Sequence, residues 1–186
     1  IIFFQFYFFF SFCQDSSALN SEFTVVIDAG HGGKDPGNTG NGFIEKDIAL
    51  KISLSLGRLL ENNGVNVIYT RKKDVFVDLF KRANIANQSD AQLFISIHCD
   101  SHTSQAYGAG TFVLGLHANQ RNFEIAKKEN SVIFFEDNYE NTYEGFDPNN
   151  PESVIGLTLM QEEYLDQSII AASYIQNSFV ERLRRK

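Results

Sequence analysis

The chain has 186 residues, of which 43% are hydrophobic and 21% charged, and its net charge is −7. That length and composition describe one globular domain able to bury its own core, and they exclude an intrinsically disordered chain. The acidic balance excludes nucleic acid or an anionic membrane surface as the main partner, since both need a basic footprint.

In chain order, the first feature is a greasy start. Ile1 to Phe12 is almost wholly apolar, interrupted by Gln5 and Ser11, and Cys13-Gln14-Asp15-Ser16-Ser17 then turns polar. The run is too short to cross a bilayer as a relaxed helix, but it matches the apolar core of a secretory signal. A buried strand or helix is the plainer alternative. Residues 1–20 are therefore expected to be the remnant of an export signal with a short linker. The absence of an initiator Met and a basic start suggests a reading frame that begins further upstream. Export would place the protein in the periplasm or cell envelope. Cys13 is a candidate for lipid attachment, although bulky Phe12 stands where a small residue is expected. The two cysteines, Cys13 and Cys99, form no disulfide framework, and Cys99 reads as a buried strand thiol.

Thr24-Val25-Val26-Ile27 is a β-branched run that leads through Asp28 and Ala29 into a glycine cluster, the pattern of a buried strand and its loop. From Glu45 a helical period follows in Ile48, Ile52, Leu56 and Leu59, with Gly64 as its terminator. Val65 to Thr70 reads as a second strand, and Leu79, Ala83 and Ala86 mark a second helix. Leu93 to His98 is a third strand and Gly110 to Gly115 a fourth. The alternation predicts an α/β fold: a single three-layer domain over residues 21–186, with a mostly parallel central sheet flanked by helices. Ser131 to Gln161 is irregular, acidic and aromatic. A final helix carries Leu165, Ile169, Ala172, Ile175, Phe179 and Leu183 on one stripe, and Arg182, Arg184, Arg185 and Lys186 at its end. Such a helix needs a sheet face to cover, so the domain is expected to lack its last strands.

In an open α/β sheet, ligands gather beyond the carboxyl ends of the strands. His31, in Asp28-Ala29-Gly30-His31-Gly32-Gly33, and His98 both sit there, and Glu45 opens the first helix at the same edge. Two imidazoles and a carboxylate suit a catalytic zinc site with one open position. Each also has an ordinary reading, as a hydrogen-bonded strand-end histidine or a helix-dipole partner. Cys99 should point away from His98, whereas Asp100 shares the side of His98 and could support a ligand. His102 and His117 read as solvated, and Asp35 as a turn residue.

The segment Val26 to Gly37 resembles the opening signature of the zinc-dependent N-acetylmuramoyl-L-alanine amidases, the family of bacterial cell-wall amidases that includes the cell-separation type. The likeness continues through Glu45-Lys46-Asp47-Ile48-Ala49-Leu50, Tyr69-Thr70-Arg71, Lys81 to Asn87 and Phe94 to Asp100. It implies that His31, Glu45 and His98 are zinc ligands. It also implies that peptidoglycan is the substrate, cut at the amide between N-acetylmuramic acid and L-alanine. Asp100 stands where the family usually has Asn. The family's catalytic glutamate lies on a later strand, so the general base is expected beyond Lys186 and the chain as given is expected to be nearly inactive. The alternative is an inactive zinc-binding scaffold or wall-binding module of the same fold.

Some members carry an inserted helix that covers the zinc until an activator protein displaces it. Here an insertion is expected at about residues 131–164, where a connection of about 2–6 residues would be ordinary. It is either a packing helix or a shield, and in the second case Glu152, Glu162 or Glu163 would occupy the open zinc position.

Overall fold

The computed structural model describes residues 23–100, 108–113, 131–137, 139–142 and 165–184. The expected export leader with Cys13, the loop residues His102 and His117, and the acids Glu152, Glu162 and Glu163 lie outside the described residues.

The first strand, β1 (Thr24–Ala29), is buried along its whole length. The β-branched run makes this possible, because Val25, Val26 and Ile27 offer apolar surface to both faces of a sheet. A short hairpin of β2 (Thr39–Gly40) and β3 (Phe43–Ile44) then leads directly into helix α1 (Glu45–Glu61). Strand β4 (Asn66–Tyr69), helix α2 (Leu79–Gln88) and strand β5 (Leu93–Ile97) follow. β1 pairs in parallel with β4 on one side and β5 on the other, giving the order β4-β1-β5. The registers Val26↔Ile68 and Val26↔Phe94 bring the carboxyl ends of all three strands to one edge.

Side-chain alternation separates the two covering helices. Tyr69 pairs with Ile27 and packs against α1 at Gly57, while Asp28, one residue on, bonds Arg82 of α2 from the opposite face. The result is the three-layer, mostly parallel α/β arrangement expected from the strand–helix alternation.

The face that α1 buries differs from its most apolar stripe. Glu45, Ala49, Ser53 and Gly57 are buried, whereas Ile52 is 47% exposed and Leu59 63% exposed. Small side chains let the helix axis approach the sheet closely, and that contact outweighs the larger apolar residues one position away. A Cβ at Gly57 would run into the hydroxyl and ring of Tyr69. Gly57→Ala is accordingly expected to lower stability by about 1–3 kcal/mol through overpacking, read as a shift of the urea midpoint. A variant as stable as the parent would mean that the ring swings aside freely.

The helix ends as the sequence indicates, turning through Gly64 at φ +79° with Val65 N–H donating to Leu60 O. The expected fourth strand is not formed over its described part: 110–113 is irregular backbone. Thr111 instead turns its N–H and hydroxyl to Gln176 Oε1 and Ala172 O, so its donors go to a helix rather than to a ladder. Within the expected insertion, Ser131–Phe135 forms a 3-10 turn and α3 (Tyr139–Thr142) a single helical turn. The final helix, α4 (Leu165–Leu183), matches its predicted span and leaves Ile169, Ile170 and Tyr174 exposed. Among the described residues, no helix is long and apolar enough to cross a membrane.

Candidate metal centre

Three chain segments meet at the carboxyl edge of the sheet. β1 runs out into the glycine loop and delivers His31; the β2–β3 hairpin delivers Glu45 as the first residue of α1; β5 runs out into His98. His31 Nε2 lies 3.1 Å from Glu45 Oε1, His98 Nδ1 lies 3.2 Å from the same oxygen, and the two ring nitrogens are 3.2 Å apart. The rings meet edge to face, at 80° with centroids 4.9 Å apart. The three donor atoms thus form a nearly equilateral triangle.

Such a triangle fits a small tetrahedral cation. Ligand atoms bonded to one zinc ion at about 2.0–2.1 Å would lie about 3.3 Å from each other. The donor set also fits, since neutral imidazole nitrogens and a carboxylate oxygen are common zinc ligands. Accessibility is graded across the cluster: the side chain of Glu45 is 0% exposed, that of His31 10% and that of His98 28%. Glu45 forms the floor, and the cluster opens on the side of His98.

The surrounding bonds set the form of each of the three side chains. Asp35 Oδ2 accepts from His31 Nδ1 at 2.7 Å, which fixes the proton on Nδ1 and leaves the Nε2 lone pair facing the triangle. Asp35 is also a turn residue, as expected: it exchanges backbone bonds with Gly32, and its Oδ1 accepts from Gly37 N–H. Burial alone would raise its pKa, but the bonds from His31 and Gly37 and the nearby positive charge hold it below the ordinary aspartate value.

Glu45 is similarly constrained. Its Oε2 accepts from both the backbone N–H and the side-chain amide of Asn38, at 2.8 and 2.7 Å, and Oε1 accepts from Cys99 N–H at 2.7 Å. Burial opposes ionisation, yet the close approach of the His31 and His98 rings and the hydrogen bonds donated by Cys99 and Asn38 hold the carboxyl far below the usual range. Glu45 is a carboxylate at any physiological pH.

The remaining candidates fall as follows. Asp100 is exposed, and among the described residues it makes no hydrogen bond to the three clustered side chains. Cys99 contributes its backbone N–H, and its half-buried thiol is pushed up by burial and by the charges of Glu45 and Asp100. The sequence marks Asp35 only as a turn residue and does not single out Asn38. Two buried arginines, which no sequence pattern singles out, also contribute. Arg71 donates to Ala29 O, Gly30 O and Lys46 O, tying the glycine loop to the start of α1. Arg82 grips the same loop from α2.

A family model described as N-acetylmuramoyl-L-alanine amidase matches residues 25–186. The chain is 44% identical over 110 residues to the uncharacterized protein YqiI of Bacillus subtilis, covering 59% of this chain and 53% of that protein. It is 44% identical over 92 residues to the N-acetylmuramoyl-L-alanine amidase AmiA of Escherichia coli, covering 48% of this chain and 32% of that enzyme. Among solved structures, the catalytic domain of CwlV, an amidase from Bacillus (Paenibacillus) polymyxa, is 34% identical with a TM-score of 0.45, covering 56% of this chain and 59% of that one. The chain spans between a third and about half of the length of these two curated relatives. It belongs to the N-acetylmuramoyl-L-alanine amidase family.

Proposed function

We propose that this chain carries the metal centre of a zinc-dependent N-acetylmuramoyl-L-alanine amidase of the cell envelope, with peptidoglycan as substrate and His31, Glu45 and His98 as the zinc ligands. The observation that carries the reading is the triangle of donor atoms with edges of 3.1–3.2 Å, in a chain of this family. Zinc held there would supply Lewis acidity toward an amide carbonyl and a lowered pKa for water.

The chain's own residues do the rest of what can be derived. Asp35 orients His31, and Asn38 with the Cys99 N–H holds Glu45 as an anion. Glu45 is unsuited to act as general base, because both of its oxygens are committed to hydrogen bonds within the centre. A proton acceptor for water must therefore be another group, consistent with the family's glutamate on a later strand. The open side next to His98 is where an amide would approach.

The test is metal content. The purified chain should bind about one zinc, and His31→Ala and His98→Ala should each lose it, because each removes one of three protein ligands. Undiminished zinc in both variants would sink the assignment. Zinc bound by the chain, but no release of stem peptide from peptidoglycan by the longer protein that carries it, would favour the scaffold reading.

A further inference from the structure

His31 has a backbone conformation that its side chain disfavours. Its φ is +59°, in the left-handed region, where a residue with a Cβ is strained and persists only if its surroundings hold it there. Three interactions do so. The turn bonds between Gly32 and Asp35 close the loop behind it, Asp35 holds its ring, and Arg82 Nη2 donates to its carbonyl oxygen at 2.8 Å.

Arg82 is the one buried residue of α2. Its Nη1 donates to Asp28 Oδ1 and to Ala29 O, both at 2.7 Å, and its Nε donates to Val77 O at 2.9 Å. Asp28 is itself held by the hydroxyls of Thr70, at the end of β4, and Ser96, in β5. One guanidinium thus joins the last turn of β1, the loop before α2 and the strained carbonyl, and its carboxylate partner is clamped by the two flanking strands. Arg71, by contrast, bonds the carbonyls of Ala29 and Gly30 and does not reach the strained residue.

Resting on the zinc-site reading above, we infer that Arg82 is a positioning residue for the metal centre: its fork, balanced by Asp28, holds the His31 carbonyl in the left-handed conformation that aims Nε2 at the donor triangle. A lysine cannot replace it. An ammonium is a single point of charge, whereas Val77 O, Ala29 O and His31 O are reached from three different nitrogens of a planar group. Arg82→Lys keeps the charge beside Asp28 and releases the loop.

The experiment is competition for Zn2+ between the full chain and a chromophoric chelator, with the melting temperature of the metal-free protein recorded in parallel. Arg82→Lys should bind zinc about 10–100-fold more weakly than the parent. Gly57→Ala, destabilised at a site remote from the loop, should keep the parental affinity. Parental affinity in Arg82→Lys, within about twofold, would overturn the inference and leave the zinc reading standing. Equal weakening in Arg82→Lys and Gly57→Ala would overturn it too, by reducing the effect to stability. No zinc in the parent would sink the zinc reading itself. Should Arg82→Lys not fold, Asp28→Asn removes the charge that fixes the fork, and zinc affinity unchanged in that variant would equally overturn the inference.

Discussion

Gly30→Ala is expected to abolish useful zinc binding, weakening it by at least about a hundredfold, while the sheet stays folded. A Cβ at position 30 would lie 2.5–2.7 Å from Cε1, Nε2 and Nδ1 of His98, inside the van der Waals limit for all three ring atoms. The backbone cannot yield to make room, because Gly30 N–H donates to Ile97 O and Arg71 holds Gly30 O. The imidazole must therefore swing away, and it takes Nδ1 out of the triangle. Loss of one of three ligands costs more than loss of a supporting bond, which by itself is typically 10–100-fold in affinity, a rough range. Chelator competition together with far-UV circular dichroism separates the two readouts. A folded Gly30→Ala chain that keeps parental zinc affinity would show that His98 is not a ligand.

The second large effect belongs to Asp28. Removing its carboxylate leaves the guanidinium of Arg82 buried beside Arg71 without its anion, and breaking a buried pair in this way typically costs about 3–5 kcal/mol. Asp28→Ala should lose that much in urea unfolding. The same pair makes the parent acid-labile in a defined direction. Burial alone would raise the Asp28 pKa, but the charge of Arg82 and the bonds from Thr70, Ser96 and Arg82 outweigh it and hold the carboxyl below its ordinary value. The folded chain therefore binds that proton less readily than the unfolded one. The stabilisation is complete at neutral pH, begins to decline as pH falls past the unfolded value of about 3.9, and is gone below the depressed folded value. In Asp28→Asn this part of the acid dependence should disappear, and an unchanged profile as pH falls from about 5 to about 2 would refute the account.

Much of the frame was legible because it rests on repeating chemistry. The β-branched run at Thr24 to Ile27 reads as a buried strand in any context, and the Ile48, Ile52, Leu56 spacing reads as a helix. Neither pattern reports which face turns inward. α1 presents Ala49, Ser53 and Gly57 to the sheet because closeness of approach decides there, and hydropathy does not measure closeness. The three clustered side chains could be found from their places at strand ends and a helix start. Asp35 and Asn38 could not, since aspartate and asparagine in a glycine-rich loop are explained equally well by turn geometry. Arg71 and Arg82 were hidden by a stronger expectation, that arginines are almost never fully buried. Over 110–113 the expected fourth strand gives way for a local reason: Thr111 has acceptors on α4.

The order β4-β1-β5 also sets how firmly the root of His31 is protected. β1 is hydrogen-bonded on both sides, so freeing the root of His31 means breaking two ladders at once. Amide hydrogens of Val26 to Ala29 should therefore exchange only through global opening. A metal ion here would thus be anchored, through His31, to the strand that opens last.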